Sequence, residues 1–504
     1  MNSERHKKMS NFFRKNAKPA LIILSFAFIA TVALIYAQAK DGDVVLEAEV
    51  ATTTGNALKV DDPNASGSKS IRFKVQGSGG GSGSYVWPLK ISSNNRYLVD
   101  QNGRPFFYAA DTSWTMLGYL SVDDAKKLID IRKSQGFSAI QTILVPWGAG
   151  RSSSARGAAF TNNDLTKPNE AYFSAVDQIM DYAETKGMVL YIPPLWMANN
   201  GGWAYSEYGE GDPTPSQAAF TSFMTWVGNR YKNQGNIIWV MGGDDEIGTS
   251  TSLKIAGANA LRAADPNHLM TYHPRWAEYG LKDQPWFDFY AFQKNDITAP
   301  YPYQQVREAL GISPTKPVLD AEPPYEPSTA MQSGNVTTAL MNRRFGWWAA
   351  LSGAMGVVYG GPQGSWAVGY KSSPNWSSDI ERTQAKHTGN INKILSPLGW
   401  QKLSPDWDSA TVISGRGSYG GTDYVTAGRA DDGSLIVAYV PSARSVSLDM
   451  SKMSGAATVQ WFDPASGESA GTSQTVANSG SQSFATPGNN SEGDSDWVLV
   501  VRKN

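Results

Sequence analysis

Between residues 97 and 398, eight short apolar runs alternate with stretches of helical periodicity, and this alternation restricts the fold more than any other feature of the chain. The runs cover residues 106–110, 139–145, 189–195, 237–243, 269–273, 287–293, 317–321 and 354–359. Each is nearly continuous in apolar residues and bounded by polar, Gly or Pro residues, as strands buried on both faces are. Between them, residues 122–132 carry apolar side chains at helical spacing behind Ser121, whose short hydroxyl suits an N-cap. Residues 171–185 and 217–231 behave alike. Eight strand–helix repeats predict an α/β fold, a closed TIM (β/α)8 barrel over residues 90–399. An open doubly wound sheet would want a Gly-rich nucleotide loop after its first strand, and none is present.

The flanks read differently. Arg5, Lys7, Lys8, Arg14, Lys15 and Lys18 precede an apolar run over residues 19–37, and Ala37-Gln38-Ala39 follows with small residues at cleavage-site spacing. Residues 1–39 are therefore expected to be a signal peptide or an N-terminal membrane anchor. Either places the rest outside the cytoplasm, secreted or at the cell surface. Residues 40–84 combine short β-like stretches, at 44–49 and 69–75, with a Gly/Ser linker at 77–84. From Trp400 to Asn504, short apolar runs separated by Asp432-Gly433, Gly467 and Gly493 predict an antiparallel β-sandwich packed behind the barrel.

In a barrel of this kind the active site lies at the C-terminal ends of the strands, so the residues that close each run are the candidates. They are Asp111, Trp147, Trp196, Asp244 with Asp245 and Glu246, His273, Gln293, Glu322 and Tyr359. Two carboxyl groups after strands four and seven suit cleavage of a glycosidic bond. One protonates the leaving oxygen, and the other attacks the anomeric carbon or activates water. Asp244 follows Gly242-Gly243, where the chain can bend sharply, and Glu322 precedes Pro323-Pro324, which stiffen the loop. A retaining mechanism would set the two carboxyls about 5–5.5 Å apart, an inverting one about 6.5–9.5 Å. Asp245 and Glu246 compete for the acid role or cap the next helix, and Asp320 reads as structural. Asp111, Trp114, Trp147, Trp196, Trp203, His273, Gln293 and Tyr325 are candidates for holding sugar hydroxyls or ring faces. Core packing is the alternative for the aromatics, a satisfied core histidine for His273, and a local loop bond for Asp111.

The rest of the composition narrows the choice. A net charge of -1 lacks the basic footprint of a nucleic-acid binder. No cysteine and only 4 His, with no HExxH, exclude disulfides, thiolate chemistry and a zincin centre. No Walker loop or GxSxG elbow occurs, and neither a cofactor nor a metal is implied.

The residues 98–107 (LVDQNGRPFF), Asp111-Thr112-Ser113-Trp114, Trp239-Val240-Met241-Gly242-Gly243-Asp244 and Glu322-Pro323-Pro324-Tyr325-Glu326 resemble glycoside hydrolase family 140, the apiosidase-type barrels. Trp461-Phe462-Asp463-Pro464 and Gly467 are similar to the β-sandwich that follows these barrels, which carries a collagen-binding label. The resemblance implies catalytic roles for Asp244 and Glu322, acid after the fourth strand and nucleophile after the seventh. It also implies a plant cell-wall polysaccharide as partner, with an apiosyl linkage. Relatives carry Gln-Ser-Gly-His after the sixth strand, and here that position reads Gln293-Lys294-Asn295-Asp296. Two readings compete with the enzyme: a catalytically inactive carbohydrate-binding or adhesive surface protein on the same scaffold, and a matrix binder acting through the sandwich.

Overall fold

The computed structural model describes residues 85–146, 156–197, 214–245, 248, 251–326, 336–370 and 375–504, and four short strands before them. The chain divides into two units, Met1–Gly81 and Ser82–Asn504. In the first, Ala57–Asp61 pairs antiparallel with Lys69–Phe73, and Ala39–Lys40 with Asp43–Val44. The expected export segment and the Gly/Ser linker lie outside the described residues. Among those described, no helix is long and apolar enough to cross a membrane.

The second unit holds the barrel. Its strands are β1 (Tyr108–Thr112), β2 (Ala139–Gln141), β3 (Val189–Ile192), β4 (Ile237–Asp245), β5 (Leu269–Pro274), β6 (Tyr290–Gln293), β7 (Val318–Glu322) and β8 (Gly356–Tyr359). Six pair in parallel in the order β5-β4-β3-β2-β1-β8, and β6 pairs in parallel with β7. Backbone hydrogen bonds bridge the two seams. Asp288 N donates to Met270 O at 2.8 Å beside β5 and β6, and Met355 N donates to Val318 O at 2.8 Å beside β7 and β8.

The longer helices are α1 (Val122–Ser134), α2 (Glu170–Thr185), α3 (Gln217–Tyr231), α4 (Thr251–Ala264), α5 (Pro302–Leu310), α6 (Ala339–Leu351) and α7 (Ala385–Leu398). Ser121 does cap α1, accepting from Asp124 N at 3.1 Å. One departure from the eightfold repeat is visible: β5 connects to β6 through turns alone. Gly280 and Pro285 interrupt residues 275–289, leaving no apolar stripe long enough for a helix. The first strand also starts later than expected, at Tyr108, because Pro105–Phe106 pairs back onto Leu98–Val99.

The sandwich follows as β9 (Leu403–Pro405), β10 (Val412–Ser414), β11 (Thr426–Ala430), β12 (Leu435–Val440), β13 (Ser445–Asp449), β14 (Ala457–Phe462), β15 (Ser469–Val476), β16 (Ser481–Ala485) and β17 (Trp497–Lys503). The larger sheet runs β9-β11-β12-β17-β14-β15 and the smaller β10-β13-β16. Alternation along β12 shows why its sequence is apolar throughout. Ile436, Ala438 and Val440 enter the core between the sheets, whereas Leu435, Val437 and Tyr439 face a second core built from α6 and α7. Trp347 and Trp348 of α6 are fully buried there, and truncating either to Ala would cost about 3–5 kcal/mol.

Candidate active site

The two carboxyls meet because both of their strands are irregular at the mouth. In β4 the register against β5 breaks between Gly242 and Asp245. Gly242 has φ +87, Gly243 φ +137 and Asp244 φ 50, so three consecutive residues are in the left-handed half of backbone space. A Cβ on Gly243 would stand 2.5 Å from Trp196 Cδ2, so glycine is required by space as well as by φ. In β7 the register against β6 skips Ala321, pairing Gln293 with Glu322. Such bulges re-aim side chains beside active sites.

The result is a compact polar cluster. Ligand atoms of Asp244, His273 and Glu322 lie within 4.8 Å of one another. The Gln293 side-chain amide sits among them, with Nε2 donating to Glu322 Oε2 at 2.9 Å and to Asp244 Oδ1. His273 Nε2 stands 3.0 Å from Glu322 Oε2 and 3.8 Å from Asp244 Oδ1, while its Nδ1 is 3.2 Å from the Tyr191 hydroxyl. Tyr325 closes the other side, receiving the Trp114 Nε1 proton at 2.6 Å and hydrogen-bonding Glu322.

Electrostatics follow from burial. Desolvation, and then the neighbouring Glu322 charge, push the Asp244 carboxyl up to about 7. Burial pushes Glu322 up to about 7 as well, against the opposing hydrogen bonds of Tyr325 and Gln293. His273 is pushed down to about 4 by burial, so it is neutral where the acids titrate. Side-chain exposures of 22% for Asp244 and 12% for Glu322, against 0% for His273, leave the carboxyls as the groups that a ligand can touch. Two acids with pKa values near neutrality, one proton between them, can protonate one oxygen while the other carboxylate acts on carbon.

The same three residues are the one group of His, Asp and Glu among those described that could hold a metal ion. The Gln293 amide, a hydrogen-bond donor, occupies the space between them. That arrangement suits proton chemistry better than cation binding.

The remaining candidates divide. Trp114 and Trp196, each 3% exposed, form walls: their rings stand 5.0 Å apart and 5.5 and 5.3 Å from His273. Asp111 is not brought into the cluster. It lies inside β1 fully buried, paired with Arg132 Nη2 at 3.0 Å and accepting from Ser113 Oγ at 2.6 Å, so its carboxylate is occupied by the wall. Asp320 is likewise internal, accepting from Lys294 N at 3.2 Å. Trp147, Trp203 and Glu246 lie outside the described residues, as does the Asp245 side chain. Sequence reasoning missed Tyr191, which orients the His273 ring from the body of β3. The available signal was a phenol within the otherwise aliphatic Val189–Ile192 run.

Comparison with known proteins agrees with this picture. The chain resembles a solved "Glycoside hydrolase" at 22% identity, covering 84% of this chain and 99% of that one, with a TM-score of 0.69. A glycoside hydrolase family 5 structure from Bacteroides vulgatus ATCC 8482 matches at 22% identity over 84% of this chain and 96% of that one, with a TM-score of 0.71. These likenesses establish the fold. No curated protein matches the sequence. Residues 409–502 match the family described as "Putative collagen-binding domain of a collagenase". Residues 92–402 match the family described as "Apiosidase-like, catalytic domain". That second match spans more than half of the chain, which therefore belongs to the apiosidase-like family of glycoside hydrolases.

Proposed function

We propose that this chain is an exported glycosidase that cleaves a plant or microbial polysaccharide with retention of configuration, with an apiosyl linkage as the first substrate to try. The observation that carries the mechanism is the spacing of the carboxylates, whose nearest oxygens lie within 4.8 Å. That is nearer the roughly 5–5.5 Å of retaining enzymes than the roughly 6.5–9.5 Å of inverting ones, which supports retention.

In this reading Glu322 is the nucleophile. It collects the most donors, from Gln293 and Tyr325, with His273 Nε2 at 3.0 Å, and donors favour the ionised form. Asp244 is the acid, kept protonated near neutral pH by burial and by the Glu322 charge. When Glu322 bonds the anomeric carbon its charge disappears. The second cause of the raised Asp244 pKa goes with it, and Asp244, having given its proton to the leaving oxygen, then accepts one from water. The basic segment and apolar run at the N-terminus support export.

The test is sugar release from a panel of pectic, xylan and mannan polysaccharides, with the anomer of the first product followed by proton NMR. Retention is expected, with activity lost in Glu322→Gln and restored by azide in Asp244→Ala. An inverted product would remove Glu322 from the nucleophile role. Export is checked by fractionating cells that express the full chain; protein confined to the cytoplasm would end that part of the proposal.

A further inference from the structure

We propose a second carbohydrate site, away from the barrel mouth, in the cavity beneath the loop between β9 and β10, for a neutral sugar ring of a polysaccharide chain. The cavity is about 300 Å³, and every residue lining it falls between Ser404 and Arg429, with no contribution from the barrel strands. That volume is at the small end of ligand sites, enough for a sugar ring or two.

Three side chains carry the chemistry. Trp407 is half-buried and lines the cavity, and the Arg307 guanidinium packs on its ring at 5.2 Å, which fixes the indole before any ligand arrives. A fixed indole offers a flat apolar face to the C–H face of a sugar at low entropic cost. The Arg429 side chain, half-buried on β11, has no hydrogen-bond or ion-pair partner among the described residues although it lines the same space. A partly desolvated guanidinium left open in a Trp-walled cavity calls for acceptor oxygens. Asp408, exposed at the rim, spends Oδ1 on Ala410 N at 3.2 Å and has no partner described for its other oxygen. Donor and acceptor therefore stand beside an aromatic wall, the combination that vicinal hydroxyls on a ring require.

Charge balance selects a neutral sugar over an acidic one. Asp406, the other acid in the lining, is already paired with Arg416 at 2.7 Å. Among the lining residues Arg429 and Asp408 then balance, and the Arg307 charge is turned onto the Trp407 ring rather than into the space. The loop conformation is also specific: Ser409 holds φ 59 between Asp408 and Ala410, directly after the two acids and the indole that line the space.

The test is affinity electrophoresis of the full chain, in a Glu322→Gln background, through gels containing xyloglucan, galactomannan or arabinogalactan. Retardation is expected in at least one gel, unchanged by 0.5 M NaCl. Both Trp407→Ala and Arg429→Gln should weaken it about tenfold or more, the loss typical of buried Trp and Arg anchors. Arg429→Gln leaves the Trp407–Arg307 stack in place and guards against a folding artefact in the first variant. With Glu322 restored, both variants should keep the parent's kcat/KM on a short soluble oligosaccharide. Failure of every neutral gel to retard the chain, retardation only by polygalacturonate or gelatin, or parent-like retardation of both variants would overturn the site.

Discussion

Two largely buried clusters in this molecule each gather two carboxylates and a histidine, and one of them also holds a cation. At the barrel mouth stand Asp244, Glu322 and His273. Where α6 meets the sandwich stand Asp494, Asp496 and His387, together with Arg343. Its Nε and Nη2 donate to Asp496 at 2.8 and 2.7 Å, and Nη2 also reaches Asp494 at 2.8 Å. Tyr439 and Asn490 complete the Asp496 shell at 2.8 and 2.7 Å. At the mouth no Lys or Arg among the described residues forms an ion pair with either acid, and both pKa values rise to about 7. In the second cluster the cation is present, and the carboxylates hold the Arg343 pKa above its usual range. The difference teaches that burial alone does not make an acid reactive. Asp320, inside the wall, is also raised to about 7 by burial, so what marks the mouth is burial without a counter-charge at carboxyls that a ligand can reach.

Breaking each cluster in turn should give opposite phenotypes. The largest effect belongs to the mouth: Glu322→Gln should cut kcat by about 10³-fold or more, and Asp244→Asn by roughly 10²–10⁴-fold. Circular dichroism should show the parent fold in both. Unchanged rates for either would remove that residue from the mechanism. Next comes Arg343→Met, which strands the fully buried Asp496 carboxylate and the partly exposed Asp494. Urea unfolding should show a loss of about 3–5 kcal/mol, with kcat of the folded fraction near that of the parent. Parent-like stability would mean that the charges there are solvated.

Gly243→Ala tests how the mouth is assembled. The added methyl meets Trp196 at 2.5 Å and the residue must hold φ +137, so Asp244 should move and kcat fall by about 10²-fold. A parent-like rate would show that the β4 bulge tolerates a side chain. The smallest effect concerns stability against pH. Between about pH 4 and about pH 7 the folded chain holds protons on Asp244 and Glu322 that the unfolded chain has released. The contribution of these groups to stability is therefore greatest below the unfolded values, falls as pH rises through that window and levels off above it. Asp244→Asn and Glu322→Gln should accordingly be more stable than the parent at pH 8, by roughly 1–2 kcal/mol, and the advantage should vanish near pH 4. Thermal unfolding at the two pH values decides it, and equal differences at both would contradict the raised pKa values.

By itself the sequence determined the barrel, its position in the chain and the two acids to consider. Each of those depends on local order: apolar runs of five to seven residues, Ser121 ahead of α1, paired glycines before Asp244, prolines after Glu322. Periodicity is set by neighbours a few residues apart, so it can be read without folding the chain. Tertiary structure alone decided which polar groups share a space. Asp111, a strand-end candidate for holding sugar hydroxyls, is occupied by Arg132 of the next helix. Gln293 became the hub of the mouth only because strands ending 49 and 29 residues away converge on its amide. The missing helix after β5 has a local cause instead, since Gly280 and Pro285 break residues 275–289, and counting strands passes over what joins them. Burial and charge pairing are properties of neighbours in space, and here those neighbours are far apart along the chain.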